Sequence, residues 1–222
     1  MVARESGSVT PVKRFFYGRL EYAICRDVGR GGASMVEQVA TRKYKLCLIG
    51  GNGVGKTSLI RRFVLDEFDD RYITTIGTKV SKKDVLVENP PQKTNVTLMI
   101  WDIMGQKGFR PVLAHSFYYR ARGALAVCDL TRRATLEDLD GWIESMFEMT
   151  NQIPLMILGN KSDLAAERQV SDDELKAFAA KYKAPWKLTS AKVGGAVRES
   201  FQEVSRMILE ATGGAPVDDD AS

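Results

Sequence analysis

The feature that most constrains this 222-residue chain is a glycine-rich stretch, CLIGGNGVGKTS, at residues 47–58. The apolar run at residues 44–49 predicts a buried strand, and the helical periodicity of residues 56–68 predicts a helix directly after the glycines. Glycines at such a turn allow the backbone to bend tightly and to approach another molecule closely. The chain must therefore build a strand, a loop almost without side chains, and a helix whose first N–H groups face that loop.

Residues 50–57 match the pattern G-x-x-x-x-G-K-[ST], with the strand and the helix on the correct sides. Phosphates carry several negative oxygens, which converging backbone N–H groups and the positive end of a helix dipole bind well. The predicted phosphate-binding residues are Gly50, Gly51, Asn52, Gly53, Val54, Gly55, Lys56, Thr57 and Ser58. Lys56 is expected to reach the β- and γ-phosphates, and Thr57 to offer its hydroxyl to Mg²⁺. The alternative is a glycine-rich turn that only caps a helix.

Beyond this loop, short apolar runs alternate with helical patterns. Strands are predicted at residues 44–49, 79–87, 94–102, 124–129, 155–159 and 186–188, and helices at residues 56–68, 111–120, 135–149, from 171 onward, and 196–211. Ser171, followed three residues later by Glu174, forms a capping-box pattern. The alternation predicts an α/β fold, a six-stranded and mostly parallel sheet flanked by about five helices. Ligands of such sheets bind at the carboxyl ends of the strands.

The stretch WDIMGQ, residues 101–106, lies at one of these strand ends. Its D-x-x-G pattern lets Asp102 hold a water on Mg²⁺, while the N–H of Gly105 can meet a γ-phosphate without a Cβ in the way. Gln106 is placed to orient an attacking water. The alternative for Gln106 is an exposed loop amide.

The stretch NKSD, residues 160–163, follows another predicted strand and indicates which base is bound. Guanine presents N1–H and a 2-amino group as neighbouring donors, and the carboxylate of Asp163 can accept from both. Adenine lacks these donors, so a site built on such bonds rejects it. A backbone N–H of the later stretch SAK, residues 190–192, can donate to guanine O6. The predicted base-binding residues are Asn160, Lys161, Asp163, Ser190, Ala191 and Lys192. Alone, N-K-x-D fits a surface turn equally well.

This order of motifs resembles the small GTPases of the Ras superfamily, and residues 72–77, 100–102 and 118–120 make the chain most similar to the Rab branch. The resemblance covers roughly residues 43–211 and implies the three-layer P-loop NTPase fold. It implies that Thr75, nineteen residues after Lys56, ligates Mg²⁺ through its hydroxyl. The implied metal ligands are Thr57, Thr75 and Asp102, and the implied catalytic residues are Gln106, Lys56 and Thr75.

The resemblance also implies a molecular switch that uses GTP or GDP and Mg²⁺ as cofactors. Hydrolysis of GTP is expected to be slow, because we find no obvious arginine in the chain to complete the site. Effector, exchange and GTPase-activating proteins are the implied partners, at two switch segments, residues 69–79 and 103–117. The alternatives are a GTP-binding interaction module with little or no hydrolysis, and a P-loop ATPase or kinase, which residues 160–163 oppose.

Several residues depart from the family pattern: Asn52, Met104, Val80, Lys107 and Gly108. Asn52 stands where the Ras group has glycine and many Rab-like proteins have serine, and a side chain there approaches the γ-phosphate and the path of a partner's arginine. Asn52 therefore bears on assisted hydrolysis and not on nucleotide binding. Met104 replaces a small residue, and Val80 replaces an aromatic residue, which weakens effector recognition of the Rab type. His115 is expected to be structural or partner-facing rather than catalytic.

Composition bounds the class of protein. A hydrophobic fraction of 44%, a charged fraction of 27% and a net charge of +4 are typical of a globular protein and do not indicate nucleic-acid binding. Three widely spaced cysteines predict free thiols rather than a disulfide framework. No apolar run approaches a membrane span, and the last residues hold no cysteine for a lipid. We therefore expect a cytoplasmic monomer without a stable membrane anchor.

The ends of the chain differ from its centre. Residues 1–42 hold glycines and scattered arginines with weak periodicity, and we interpret them as a disordered or mispredicted extension, with Met35 as a candidate initiator. A flexible basic arm that contacts an anionic partner is the alternative. The GTPase domain is expected at residues 43–211, followed by a flexible acidic tail at residues 212–222.

Overall fold

The computed structural model of the chain describes residues 10–16, 19–25, 40–69, 75–89, 92–106 and 116–213. Within these ranges lie eight strands: β1 Thr10–Phe16, β2 Arg19–Cys25, β3 Ala40–Ile49, β4 Thr78–Asn89, β5 Gln92–Ile103, β6 Ala121–Asp129, β7 Leu155–Asn160 and β8 Trp186–Leu188. The α-helices with both ends in these ranges are α1 Lys56–Leu65, α2 Ala134–Glu137, α3 Leu139–Thr150, α4 Asp172–Lys181 and α5 Val197–Ala211, and residues 116–118 are also helical. A short 3₁₀ helix spans Ala165–Glu167.

Six of these strands form one sheet in the order β4-β5-β3-β6-β7-β8. Strands β4 and β5 pair antiparallel, whereas β3 pairs in parallel with β5 and β6, β6 with β7, and β7 with β8. The predicted α/β fold with a six-stranded, mostly parallel sheet is confirmed. Because β3 lies between β5 and β6, the chain leaves β3 towards one side of the sheet and later returns to the other. The crevice at the carboxyl end of β3 is therefore the expected ligand site.

Helices cover both faces of the sheet, which explains why the central strands β6 and β7 are buried almost throughout, without alternation. Along β3, Leu46 and Leu48 belong to one apolar cluster, and Cys47 and Ile49 belong to the other. The first cluster includes side chains of α1 and α5, and the second includes side chains of α3 and α4. These three layers hold the strand ends, and the loops that follow them, in fixed positions.

The two cysteines whose side chains are described, Cys47 and Cys128, are free and buried. Burial raises the pKa of each thiol to about 12, so both are protonated at neutral pH. The prediction of free thiols is confirmed for this pair. None of the described helices is long and apolar enough to cross a membrane.

Several element boundaries differ from the predicted ones. Helix α1 was expected to extend to residue 68, but it ends at Leu65 because Asp66 adopts a left-handed backbone conformation with φ of 58°. The helix predicted at residues 135–149 is split into α2 and α3 at Asp138, whose backbone stays near helical geometry (φ −69°, ψ −17°). The hydrophobic period continues across this turn, so the sequence does not reveal it.

The segment before β3 contains structure that the sequence pattern did not predict. Strand β1 pairs antiparallel with β2, with Thr10 opposite Cys25, in a two-stranded sheet. The aromatic and β-branched residues of these runs favour strands, a signal that the scattered arginines obscured. Strand β3 also begins at Ala40, before the expected residue 44. The disordered or mispredicted character of residues 1–42 as a whole, and the initiator role of Met35, stay predictions.

Two other predictions fall largely outside the described residues. Of the helix predicted at residues 111–120, residues 116–118 are helical, and residues 107–115, including His115, are not described. The acidic tail lies outside the described ranges from residue 214 onward.

Candidate functional site

The loop between β3 and α1 requires glycine at two positions. Gly50 has φ of 132°, and a Cβ there would lie 2.2 Å from the carbonyl oxygen of Val127. Gly55 has φ of 98°, and its Cβ would lie 2.2 Å from Nδ2 of Asn160. That amide donates to the carbonyl of Val54 at 2.9 Å, so the N-K-x-D motif directly supports residues 50–57, the predicted phosphate loop. The loop conformation therefore depends on β6 and β7 as well as on its own glycines.

Lys56 is the first residue of α1 and is buried, with 6% of its surface exposed. Its ammonium donates to the carbonyl oxygens of Gly50 and Gly51 at 2.7 and 2.8 Å. Burial lowers the pKa of Lys56 to about 8, against the opposing effect of the Asp102 charge. The ammonium is thus held inside the curve of the loop, where the phosphates of a nucleotide are expected.

Three side chains that carry oxygen atoms lie close together beside this loop. The hydroxyl of Thr57 donates to Oδ2 of Asp102 at 2.5 Å and lies 3.0 Å from the hydroxyl of Thr75. Oδ1 of Asp102 is buried and has no hydrogen-bond partner among the described residues. Burial raises the pKa of Asp102, although the Thr57 hydrogen bond and the charges of Lys56 and Lys79 oppose the increase.

This set of oxygens fits Mg²⁺. A carboxylate with one buried, unsatisfied oxygen and two hydroxyls supplies hard ligands, and Mg²⁺ in proteins commonly uses one or two carboxylates together with substrate phosphates. Within the described part of the chain, no group of three or more His, Cys, Asp or Glu side chains could hold a metal ion by itself. The predicted metal ligands Thr57, Thr75 and Asp102 are therefore brought together in a form that needs phosphate oxygens to complete it.

Gly105 packs directly on the phosphate loop. A Cβ at Gly105 would lie 2.5 Å from the backbone nitrogen of Asn52 and from the carbonyl oxygen of Gly51. Only glycine permits this approach to the backbone of Gly51 and Asn52. The expected contact between the Gly105 N–H and a γ-phosphate stays a prediction. Met104, just before it, is buried, and Gln106, just after it, is exposed.

The predicted base-binding residues lie close together at the ends of β7 and β8. Oδ1 of Asn160 accepts from the hydroxyl of Thr189 at 3.3 Å. The carboxylate of Asp163 accepts from the hydroxyl of Ser190 at 2.5 Å. The Ser190 hydroxyl in turn accepts from the backbone N–H of Val193 at 3.2 Å. Asp163 is exposed, and these contacts fix the orientation of its carboxylate towards the cleft.

One cleft of about 630 Å³ connects the two groups of residues. The predicted site residues that line it are Asn52, Gly53, Gly55, Lys56, Thr57, Ser58, Thr75, Asp102, Gly105, Asn160, Lys161, Asp163, Ala191 and Lys192. Four others, Gly50, Gly51, Val54 and Ser190, are buried and do not line it. Gln106 also lies outside the lining, so the described conformation does not bring this predicted catalytic residue into the cleft.

Sequence reasoning missed several residues of the cleft. Among the described residues that line it, Phe68 alone carries an aromatic ring, and Phe68 also packs against the apolar core. Its sequence signal is weak, because it is one of several apolar residues near the end of α1. Lys79 also lines the cleft and stands opposite Asp102 in the β4–β5 register, so it adds a positive charge near the predicted metal ligands.

Arg62 of α1 is a further residue that the sequence did not indicate. Its Nε donates to the carbonyl of Ala191 at 2.9 Å, and its Nη2 donates to the carbonyl of Lys192 at 2.7 Å. These partners lie 129 and 130 residues later in the chain, so no local pattern could reveal the contact. Arg62 joins the helix that follows the phosphate loop to the stretch predicted to meet guanine O6.

The surface beside the two predicted switch segments is only partly described, since residues 70–74 and 107–115 lie outside the described ranges. Trp101 is half-buried, and the ammonium of Lys45 lies 3.6 Å from the centre of its ring. Lys45 also donates to the carbonyl of Tyr119 at 3.0 Å. Val80 is 42% exposed, and Ile76 is 91% exposed. Val80 stands opposite Trp101 in the β4–β5 register, and Ile76 lines the cleft.

Comparison of the sequence with known proteins gives the family of the chain. The sequence model of the Ras family matches residues 45–210. Ras-related protein Rab-13 of Rattus norvegicus is 36% identical over 172 residues, which cover 77% of this chain and 82% of that protein. Ras-related protein Rab-22A of Canis lupus familiaris is 36% identical over 179 residues, which cover 80% of this chain and 90% of that protein. The chain therefore belongs to the Ras family and is a Rab-like small GTPase.

Proposed function

We propose that this GTPase binds GTP and GDP together with Mg²⁺ and works as a molecular switch that hydrolyses GTP slowly. The observation that carries the proposal is the single cleft that joins the phosphate loop, the oxygen side chains beside it and Asp163. A nucleotide in this cleft would place its phosphates against Lys56 and its base against Asp163. Mg²⁺ would be held by Thr57, Thr75 and Asp102, and would neutralise charge on the phosphates.

In the proposed complex, hydrogen bonds to the base explain a preference for guanine. The carboxylate of Asp163 accepts from guanine N1–H and the 2-amino group, while a backbone N–H in residues 190–192 donates to O6. The ring of Phe68 offers an apolar surface for stacking. Adenine would leave Asp163 without donors, and a site built on such bonds rejects the wrong base strongly.

The switch itself rests on the γ-phosphate. Thr75 and Gly105 are the residues that would contact it. Each lies within one of the two segments, residues 69–79 and 103–117, proposed to bind effector, exchange and GTPase-activating proteins. Loss of the γ-phosphate would release both segments. We propose that the chain acts in this cycle as a monomer.

Single-turnover hydrolysis tests the proposal. GTP bound to the chain with Mg²⁺ should be hydrolysed at a rate of about 10⁻⁴–10⁻³ s⁻¹, as is typical of the family without a partner's arginine. Gln106→Leu should lower this rate roughly tenfold or more, since it removes the amide that orients water. Lys176→Ala, an exposed change on α4, should not affect it.

The second candidate is a GTP-binding interaction module with little turnover. The observation in its favour is that Gln106 is exposed and outside the cleft lining. A hydrolysis rate equal to that of GTP in buffer, and unchanged by Gln106→Leu, would support this candidate and reject slow hydrolysis as the function.

The pH dependence of binding reports on Lys56. In the nucleotide-free chain burial lowers its pKa to about 8, and an adjacent phosphate would raise that pKa by favouring the charged form. Binding should therefore take up a proton above about pH 8. We expect nucleotide affinity to be constant below that pH and to fall by at most about tenfold per unit above it. Titration with fluorescent GDP from pH 6.5 to 9 measures this, and a flat profile would contradict it.

Arg62→Ala should loosen the stretch at residues 190–192. It removes two charge-assisted hydrogen bonds to Ala191 and Lys192, without touching the nucleotide itself. We expect GDP to dissociate about tenfold faster, in line with the usual strength of such bonds. Arg206→Ala is the matched control, because Arg206 is an exposed arginine paired with Glu210 on α5. Equal GDP dissociation rates in the two variants would show that Arg62 does not support the base site.

A further inference from the structure

A buried carboxylate at the end of β6 has no role in the function proposed above. The side chain of Asp129 is fully buried, with 0% exposed. Its Oδ1 accepts from the N–H and the hydroxyl of Thr131 at 3.0 and 2.7 Å. Its Oδ2 accepts from Nε of Arg132 at 2.8 Å and from the ammonium of Lys161 at 2.6 Å. Burial alone would raise the pKa of Asp129, but these hydrogen bonds lower it, so the carboxylate is charged at neutral pH.

The guanidinium of Arg132 connects this carboxylate to the phosphate loop. While Nε binds Asp129, Nη2 donates to the carbonyl of Asn52 at 3.0 Å. The two nitrogens belong to one rigid plane, so a single side chain fixes both partners at once. A lysine at this position carries one compact ammonium on a flexible stem and cannot reproduce the fork.

Lys161 extends the same connection to the base end of the cleft. It is the second residue of the N-K-x-D motif, and it lines the cleft while its ammonium binds Asp129. Asn52 lines the other end, where its backbone nitrogen lies against Gly105. One oxygen of Asp129 therefore anchors two side chains that lead to opposite ends of the cleft.

We propose that Asp129 and Arg132 are positioning residues that hold the phosphate loop and the base-recognition loop in register. The inference rests on the proposed binding of guanine nucleotides. Arg132 acts on the Asn52 carbonyl, at the end of the cleft where Gly105 meets the γ-phosphate, and so favours GTP relative to GDP. Asp129 acts on both ends, because Lys161 and Arg132 share its Oδ2.

The neighbouring arginine supplies a matched control. Arg133 is exposed like Arg132, but it pairs with Glu174 and donates to the carbonyl of Gln169 at 2.8 Å, away from the phosphate loop. Arg132 itself is 46% exposed, so its replacement is compatible with folding. Thermal melting of each variant without nucleotide checks that the fold is kept.

The experiment measures the dissociation constants of fluorescent GDP and of a fluorescent, non-hydrolysable GTP analogue, both with Mg²⁺. Arg132→Ala should raise the constant for the GTP analogue about tenfold and that for GDP less than threefold. Arg132→Lys should keep the ion pair with Asp129 but lose the hydrogen bond to the Asn52 carbonyl. The ratio of the dissociation constants for the GTP analogue and GDP should therefore change as it does in Arg132→Ala. Asp129→Asn should raise both constants, and Arg133→Ala should change neither.

The outcomes separate the inference from the proposed function. If the unmodified chain binds both nucleotides and Arg132→Ala weakens them equally, or no more than Arg133→Ala does, the positioning role of Arg132 is wrong while the proposed function stands. If Arg132→Lys leaves the ratio of the two dissociation constants unchanged, the proposed role of the hydrogen bond to the Asn52 carbonyl is also wrong. Failure of the unmodified chain to bind guanine nucleotides would overturn both.

Discussion

Lys56→Ala is expected to abolish tight nucleotide binding. Lys56 is buried, and its ammonium is enclosed by the carbonyls of Gly50 and Gly51 in the described conformation. In the proposed complex the phosphates replace these carbonyls as partners. Removing one partner of a buried, hydrogen-bonded charge pair costs about 2–5 kcal/mol. The dissociation constants of GDP and GTP should therefore rise by roughly 30-fold to a few thousand-fold.

Two measurements make this expectation specific. Titration with fluorescent GDP gives the dissociation constant, and the rise in melting temperature on adding GDP reports binding independently. Lys176→Ala removes the same charge from an exposed position on α4 and should leave both readouts unchanged. If Lys56→Ala melts like the unmodified chain but binds GDP within about threefold of it, the assignment of Lys56 to the phosphates is wrong.

Asp163→Asn is expected to remove the preference for guanine. The amide keeps the size of the side chain and can still contact Ser190, but it places a donor group opposite the guanine donors. Sites built on such hydrogen bonds discriminate by about 10⁴–10⁵, so the preference of GDP over ADP should fall by a large part of that range. Affinity for a xanthine nucleotide should increase, because xanthine carries a carbonyl where guanine carries its amino group.

Competition between fluorescent GDP and unlabelled GDP, ADP and xanthosine diphosphate measures these preferences in one format. Asp173→Asn is the control, since Asp173 is an exposed acidic residue in the first turn of α4. If Asp163→Asn binds the three nucleotides in the same order of affinity as the unmodified chain, another group recognises the base. The N-K-x-D motif would then be only a surface turn.

Features that depend on a few neighbouring residues were predictable. The capping box at Ser171 forms as expected: the side chain accepts from the N–H of Glu174 at 3.2 Å, and Glu174 accepts from the N–H of Ser171 at 2.8 Å. The glycine-rich loop is similar, because strand, loop and helix follow one another directly. In contrast, the split between α2 and α3 escaped prediction. Thr135, at the start of α2, accepts from the N–H of Asp129 at 2.9 Å, a contact to the end of β6 that the helical period does not encode.

Most of the candidate site was also predictable, because its motifs stand at strand ends that a parallel sheet brings to one edge. Asp102, Asn160 and Asp163 were assigned from their motifs, and the structure places them in one cleft. Phe68 and Lys79 were missed, since neither belongs to a recognisable pattern. Gln106 was assigned to catalysis, yet the described conformation leaves it exposed, because a loop residue beyond the strand is not held by the sheet.

The sequence by itself determined the chemistry of the phosphate loop: glycines whose backbone conformations other residues rarely adopt, followed by a lysine and a hydroxyl at the start of a helix. These are local properties, set by backbone dihedrals and residue spacing. Only the tertiary structure decided what supports that loop. Arg62 reaches residues 190–192, Lys161 pairs with Asp129, and Arg132 reaches the carbonyl of Asn52, because the fold brings distant segments together. Such pairings depend on strand order and side-chain burial, which no short pattern encodes.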